Sequence, residues 1–408
     1  MAREQVVTSL DIGNSKIRVV VGVLSPEKKE PHIVGIGISP SLGLRKGAVI
    51  DVDELVSNIA AALEDAERMS GIPVHHLFVG LSGHHIDSAT SKGIVAIAQK
   101  EVTESDIRRV LEAAQNAALL KNEHILRIIP KSFTLDEQKD VKNPLGMSGI
   151  RLEVDAHVVT GSASVIKNIE KCVHQSGVDI DDIIPSPLAS AEAVLSKRQK
   201  ELGVVSIDIG CDTTSVVVYE EGSVLHSVVV PIGGASVTND IAIGLRSSID
   251  AAEKMKIEFG TNLADEVSEN EEIDLSTISK IDSHTVSRKH LAEIIQARYF
   301  EIFSFVKAEL RKVGRDGMLP AGAILSGAAI KMPGTLELAR EALEIPVQIG
   351  FPQDIQGMID KIDDPSYATA IGLILWGIRH NTPQRYGFSF GLGGLFSGIG
   401  SLFKKLLP

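Results

Sequence analysis

Hydrophobic and polar positions follow two periods along this chain, and the switches between them mark its elements. Residues 5–12 and 16–24 are β-branched runs separated by a turn of small and polar residues, which predicts a pair of strands, and 32–38 is a third such run. Residues 50–70 change to helical spacing of apolar and charged positions, with Asp51 and Asp53 at the start, where carboxylates favour the helix dipole. Residues 74–81 return to strand. From about 82 to 161 the texture changes: short strands at 93–98 and 152–159 bracket a helix at 104–120, and a polar loop around Pro144 and Gly146 follows the helix. This block reads as an inserted subdomain. Helices at 163–175 and, after Pro185 and Pro187, at 188–197 restore the main rhythm.

The pattern then starts again. Leu10-Asp11-Ile12-Gly13-Asn14-Ser15-Lys16, followed by Ile17-Arg18-Val19-Val20-Val21, has a counterpart in Ile207-Asp208-Ile209-Gly210-Cys211-Asp212-Thr213-Thr214, followed by Ser215-Val216-Val217-Val218-Tyr219. Each copy is an apolar run, an Asp, a tight turn and a second β-branched run, so the chain carries an internal duplication. Beyond it come residues 222–232, Gly233-Gly234 and a helix at 236–246. An acidic stretch at 265–274 reads as a solvated loop, with a cation-docking site as the other reading, and a long amphipathic helix spans 288–313. A short strand at 321–325 runs into Ser326-Gly327-Ala328-Ala329, and a helix at 368–379 closes the globular part.

A chain of 408 residues exceeds one ordinary core, so two lobes are expected. Hydrophobic content of 44% and charged content of 23% are those of a folded soluble protein. The net charge of −12 argues against a nucleic-acid partner, which needs a basic surface. Cys172 and Cys211 lie far apart and form neither a metal nor a disulfide pattern, which fits a reducing compartment. The first residues enter a strand with no leader pattern, and no apolar stretch approaches a membrane span, so a cytoplasmic chain is expected.

Four segments carry candidate chemistry for one nucleotide. In the first turn the amides of Gly13, Asn14 and Ser15, with Lys16, suit β- and γ-phosphates. The second turn, Gly210, Asp212, Thr213 and Thr214, mirrors it, and Asp11 and Asp208 together suit a magnesium ion. Glu253 and Lys256 share one helix face and suit ribose hydroxyls. Gly327, Ala328 and Met332 follow a strand end where small residues allow backbone to approach an adenosine. Taken singly, these are an ordinary strand end, a solvated helix face and a packing turn. Their occurrence in one order, with a duplicated hairpin, points to one bound nucleotide.

The C-terminal segment has a second kind of chemistry. Leu392, Leu395, Phe396, Ile399, Leu402, Phe403 and Leu406 fall on one helical face, with Gly, Ser, Lys404 and Lys405 on the other. The segment is too short to span a bilayer and suits lying in its interface; docking on the chain's own surface is the other reading. Its glycines each cost about 1 kcal/mol of helix stability. Full burial of the apolar side chains would contribute on the order of 10–20 kcal/mol, most of it offset by partial insertion and ordering. Each lysine adds roughly 1 kcal/mol at an anionic membrane.

Three longer segments carry a resemblance: residues 43–51 (Gly-Leu-Arg-Lys-Gly-Ala-Val-Ile-Asp), 143–153 (Asn-Pro-Leu-Gly-Met-Ser-Gly-Ile-Arg-Leu-Glu) and 231–241 (Pro-Ile-Gly-Gly-Ala-Ser-Val-Thr-Asn-Asp-Ile). With the turns above, the chain resembles the actin superfamily, and within it the FtsA family of bacterial cell-division proteins, over essentially its whole length. The resemblance implies an α/β, actin-like, two-lobe duplicated fold with an inserted subdomain and a C-terminal amphipathic helix. It implies a first lobe at 1–81 and 162–203, interrupted by the inserted subdomain at 82–161. The second-lobe core would be 204–226 and 306–365, with an outer subdomain at 227–305 that binds the C-terminal peptide of the tubulin-like protein FtsZ. A closing helix at 366–380, a linker at 381–390 and a membrane-targeting helix at 391–408 would complete it. The implied cofactors are ATP or ADP with Mg2+. The implied partners are FtsZ, further copies of the chain in filaments, an anionic membrane surface and later division proteins, at the cytoplasmic face of the inner membrane at the division site. Arg288 and Arg298, on the long helix, suit an acidic FtsZ peptide; ion pairs to Glu293 and Glu301 are the other reading.

The sequence departs from the family pattern in three places. Cys211 and Asp212 stand where glycines are usual, and a carboxylate about 4 Å from a phosphate charge repels it by roughly 4 kcal/mol at an effective dielectric of about 20. Ala328 replaces a second glycine in the adenosine turn. Pro185-Ser186-Pro187 offers no Glu or Gln to position an attacking water. Slow or absent hydrolysis is therefore expected. A soluble sugar kinase, a chaperone-type ATPase and a pilus-assembly adaptor share the superfold and stand as alternatives.

Overall fold

The structure, a computed structural model, describes residues 4–118, 122–278 and 284–380. The linker and the amphipathic tail read from the sequence lie outside the described residues, as do all nine positions named there for membrane contact.

The first half builds a mixed sheet. β1 (Gln5–Ile12), β2 (Lys16–Leu24) and β3 (His32–Pro40) form an antiparallel meander. A two-rung hairpin follows, β4 (Leu44–Arg45) and β5 (Ala48–Val49). Helix α1 (Val52–Ser70) begins where the Asp51 carboxylate accepts the Glu54 N–H and ends at Gly71, whose φ of 70° supplies the left-handed cap. Its buried face is Leu55, Ile59, Ala62, Leu63 and Ala66, packed on β3. Each large apolar side chain so buried contributes about 1.5–3 kcal/mol relative to exposure. β6 (His76–Leu81) joins β1 in parallel.

The chain then leaves this sheet. β7 (Ile86–Ala96), α2 (Glu104–Ala118), β8 (Glu123–Leu135), β9 (Gln138–Val141) and β10 (Arg151–Ser162) form a separate antiparallel sheet of order β7-β10-β8-β9. Helix α2 covers it, and Val110, Leu111, Phe133, Leu152 and Val154 belong to its own core. The strands run longer than the patterns at 93–98 and 152–159 predict, and β8 is an element the pattern missed. Pro130 interrupts its alternation; the register with β10 shifts at Asp155/Ala156, the point where Pro130 pairs. A bulge tolerates the missing N–H.

Helix α3 (Ala163–Gln175) leads back to β11 (Asp179–Pro185), which pairs with β6. Two short helices, α4 (Ser186–Val194) and α5 (Lys197–Leu202), replace the single predicted helix at 188–197; Ser196 starts the second with a capping box.

The second half repeats the first sheet. β12 (Val204–Ile209), β13 (Thr214–Glu220) and β14 (Ser223–Val230) form the meander. Helices α6 (Gly234–Gly244) and α7 (Ile249–Phe259), the small pair β15 (Glu272–Asp274) and β16 (Thr285–Ser287), and α8 (Arg288–Lys312) follow. β17 (Ala323–Ser326), α9 (Thr335–Leu343), β18 (Val347–Ile349), the short α10 (Ile359–Ile362) and α11 (Ala368–His380) complete the order. The first sheet reads β3-β2-β1-β6-β11 and the second β14-β13-β12-β17-β18, with the same parallel and antiparallel joins. This is the duplicated two-lobe, actin-like α/β architecture.

Two helices cross between the sheets. α4 follows the first sheet but packs against β12, β13 and β14; α11 follows the second but packs against β1, β2 and β6. They meet at Gly372, where a Cβ would lie 1.7 Å from the Ala189 carbonyl oxygen. Only glycine permits that approach.

Candidate functional site

Because β1 and β12 are the middle strands of their sheets, their C-terminal ends and the turns after them face one cleft. Asp11 pairs with Arg18 on β2 and with Gly80 on β6. Asp208 pairs with Ser215 on β13 and with Ser326 on β17. The two aspartates thus occupy equivalent positions but have different neighbours. Arg18 places a guanidinium nitrogen 3.7 Å from the Asp11 carboxylate, whereas Asp208 accepts a hydrogen bond from the Ser326 hydroxyl at 2.8 Å. Burial pushes the Asp11 carboxyl up to about 6, with Arg18 pulling it down and Asp208 adding to the rise. Burial also raises Asp208, opposed by Ser326 and Arg18.

A cavity of about 750 Å³ lies between the lobes. Its wall contains Asp11, Gly13, Asn14, Ser15 and Lys16 from the first hairpin, and Asp208, Gly210 and Thr213 from the second. Glu253 and Lys256 of α7 and Gly327, Ala328 and Met332 after β17 bring in the third and fourth segments. All four segments therefore converge. Glu253 and Lys256 form an ion pair in which the lysine is largely covered and the glutamate half exposed: the Lys256 ammonium donates to Glu253 at 2.6 Å, to Thr238 at 2.8 Å and to the Gly234 carbonyl at 3.2 Å. That network ties α7 to the first turn of α6.

Two predicted phosphate-turn residues stand outside the cavity wall. The Thr214 side chain is buried behind the turn and donates to the Ile232 carbonyl at 2.8 Å. Asp212 turns toward the other lobe and accepts the backbone N–H of Lys46 at 3.2 Å. Asp212 is absent from the cavity wall, with one carboxylate oxygen held by the Lys46 N–H and the other facing the Cys211 thiol. Cys211 does line the wall, and burial together with the Asp212 charge pushes its thiol up to about 12, so it stays un-ionised.

Sequence reading missed several wall residues. Arg18 was legible from strand register, since the partner of Asp11 across the hairpin must share its face. Thr238, Ser82 and Lys331 carry no local signal. Ser186 opens α4 at the cavity wall, with a buried hydroxyl that has no hydrogen-bond partner.

Arg288 and Arg298 lie away from the cleft, and both are ion-paired. Arg298 forks onto the Asp240 carboxylate and also reaches Glu301, as the alternative reading expected. Arg288 pairs with Glu271 at 2.5 Å rather than with Glu293, which faces His290.

Comparisons with known proteins add to this geometry. The family model described as cell division protein FtsA matches residues 205–372, and the model described as the SHS2 domain inserted in FtsA matches residues 83–160. The chain is 41% identical over 390 residues to the cell division protein FtsA of Pseudomonas aeruginosa, covering 96% of this chain and 93% of that protein. It is 38% identical over 382 residues to FtsA of Bacillus subtilis, covering 93% and 85%. Among solved structures, a chain of the PilM-PilN type IV pilus biogenesis complex superposes with a TM-score of 0.67 at 16% identity, covering 91% of this chain and 98% of that one. MreB5 of Spiroplasma citri bound to ADP superposes with a TM-score of 0.54 at 13% identity, covering 93% and 98%. At such identities these structures speak to the fold.

Proposed function

The chain belongs to the FtsA family of cell division proteins, and from that premise we propose that it binds ATP or ADP with magnesium between its lobes, forms filaments, and tethers an FtsZ polymer to the membrane. The observation that carries the cofactor reading is the convergence of both acidic turns, the Glu253–Lys256 pair and the 327–332 turn on one cavity. The ADP bound to MreB5, a neighbour in fold, is in keeping with it.

The residues fit the proposed group. Asp11 and Asp208 are acids that burial disfavours as anions, and Asp208 adds to the rise at Asp11, so a cation between them relieves both costs. Among the described residues no three His, Cys, Asp or Glu side chains converge to hold a metal unaided. Magnesium, which keeps waters and phosphate oxygens as ligands, suits a site of two carboxylates and would neutralise phosphate charge there. Gly13, Asn14, Ser15, Gly210 and Thr213 offer turn amides to phosphates, and Lys16 offers a cation. Glu253 and Lys256 face the ribose, and Gly327, Ala328 and Met332 the adenosine.

Hydrolysis has less support. The Ser186 hydroxyl stands where a water-positioning Glu or Gln is expected, and it cannot take a proton at neutral pH. The nucleotide is then a conformational ligand, hydrolysed slowly or not at all. Turnover above about 1 per second, within the usual range for enzymes, would contradict this.

No helix among the described residues is long and apolar enough to cross a membrane. Membrane attachment is assigned instead to the amphipathic stripe at 391–408, one copy binding weakly and a filament of copies binding tightly through effective concentration. Residues 227–305, with Arg288 and Arg298, receive the FtsZ peptide, and 82–161 meets later division proteins. Liposome co-sedimentation tests the tether: the intact chain should pellet with anionic vesicles, and a chain lacking 390–408 should not. Equal pelleting of both would refute it.

A further inference from the structure

The hairpin β4–β5 ends in a two-residue turn, Lys46-Gly47, with φ of 50° and 81°. Two consecutive positive φ values define the compact primed turn that holds a hairpin tip rigid. Three separate parts of the molecule converge on this tip. The Gly47 N–H donates to the Asn14 side chain at 2.9 Å, in the first acidic turn. The Lys46 N–H donates to Asp212 at 3.2 Å, in the second acidic turn and the other lobe. The Lys46 carbonyl faces the His84 ring nitrogen at 3.1 Å, in the segment that joins β6 to β7 and carries the chain into the inserted subdomain. Packing there is tight: a Cβ on Gly47 would lie 2.3 Å from the Ser82 carbonyl oxygen and 2.6 Å from the Gly83 Cα.

We propose that the Lys46-Gly47 tip is a mechanical relay that couples the spacing of the two acidic turns to the hinge of the inserted subdomain. Asp212 and Lys46 belong to different lobes, so any change in cleft width must stretch or break their hydrogen bond. Asn14 holds Gly47 to the first turn, and His84 and Ser82 meet the tip from the hinge side. The tip has little freedom of its own: the primed turn fixes its shape, and Gly47 packs so close to Ser82 and Gly83 that a side chain there would clash. Movement of the tip therefore passes to residues 82–85 and on to β7. The departure of Asp212 from glycine gains a purpose here, because glycine has no side chain to reach across. The nucleotide part of this inference rests on the reading of the cleft given above; the mechanical part does not.

Hydrogen exchange measured by mass spectrometry on the full chain separates the two. Without any nucleotide, Asp212→Ala should speed exchange in residues 84–96 by about fivefold, as loss of one hydrogen bond allows, while residues 104–118 are unchanged. With ATP and magnesium, exchange in 84–96 should slow in the wild type. It should not slow in His84→Ala, although that variant binds a fluorescent ATP analogue as the wild type does. Unchanged exchange in ligand-free Asp212→Ala, or full slowing in His84→Ala, would overturn the relay. Failure of the wild type to bind ATP would sink the cleft reading, and the ligand-free comparison would still decide the relay.

Discussion

Arg18 stands across the hairpin from Asp11 with its guanidinium 3.7 Å from the carboxylate and 5.3 Å above the ring of Tyr367. The equivalent position in the second lobe is Ser215, so the duplicated site is lopsided: Asp11 has the Arg18 guanidinium at its side, whereas Asp208 accepts the Ser326 hydroxyl and feels Arg18 only across the cleft. The compensation at Asp11 is incomplete, since burial still raises its carboxyl to about 6.

Burial that Arg18 only partly offsets makes Asp11 a stability cost in the empty protein. Its folded pKa exceeds the unfolded value of 3.8, so the folded state binds more protons between about pH 4 and pH 6, and stability is lost as pH rises through that window. Above it the ionised carboxylate costs on the order of 3 kcal/mol. Asp11→Asn should therefore unfold at a higher temperature than the wild type at pH 8 without ligand. ATP with magnesium should raise the unfolding temperature of the wild type and not of the variant. Differential scanning calorimetry reads both.

His157 of β10 has the opposite pH behaviour. It is 1% exposed, 2.8 Å from the Ser227 hydroxyl of β14, and burial with the nearby His226 and Lys131 charges lowers it to about 4. The unfolded chain protonates this imidazole near 6.5, so its contribution is fully present above pH 6.5 and is lost as pH falls toward 4. The loss is on the order of 3 kcal/mol, and it falls on the contact between the inserted subdomain and the second lobe. Urea unfolding at pH 7.5 and pH 5 should show a smaller pH difference in His157→Gln than in the wild type.

Arg298 is committed to Asp240 and Glu301 in the free protein, so under the proposed FtsZ contact an acidic peptide would have to compete for it. Arg298→Ala should weaken binding of such a peptide, whereas Asp240→Ala, which releases the guanidinium, should preserve or strengthen it. A structural role alone predicts that both variants weaken binding equally. Fluorescence anisotropy with a labelled peptide distinguishes them.

The tail's apolar stripe makes a separate prediction. Phe396→Asp or Phe403→Asp should remove most vesicle binding, because a charge on the inserted face costs roughly 3 kcal/mol at membrane depth. Lys404→Glu with Lys405→Glu should weaken binding to anionic vesicles and leave neutral ones unaffected. Flotation of the full chain with vesicles of each composition measures this.

The fold was legible where its signals are local. Asp51 and Gly71 bracket α1, and the duplicated Asp-Ile-Gly hairpins announced two lobes with one topology. It was illegible where a strand breaks its own rule: β8 contains Pro130, and only a bulge against β10 lets it pair. Most of the site could be read because its residues belong to motifs in chain order. The direction of the Asp212 side chain could not, since its partner is the Lys46 N–H, 166 residues away. The partner of Arg288 was missed for the same reason: helix spacing suggested Glu293, whereas the β15 region brings Glu271 against it.

Titration of the wild type and Lys16→Ala with fluorescent ATP in the presence of magnesium tests the cleft most directly. The expected result is saturable binding by the wild type and affinity at least about tenfold weaker in the variant, the loss of a charge-assisted contact. Absence of saturable binding by the wild type, or equal affinity in the two, would contradict the account.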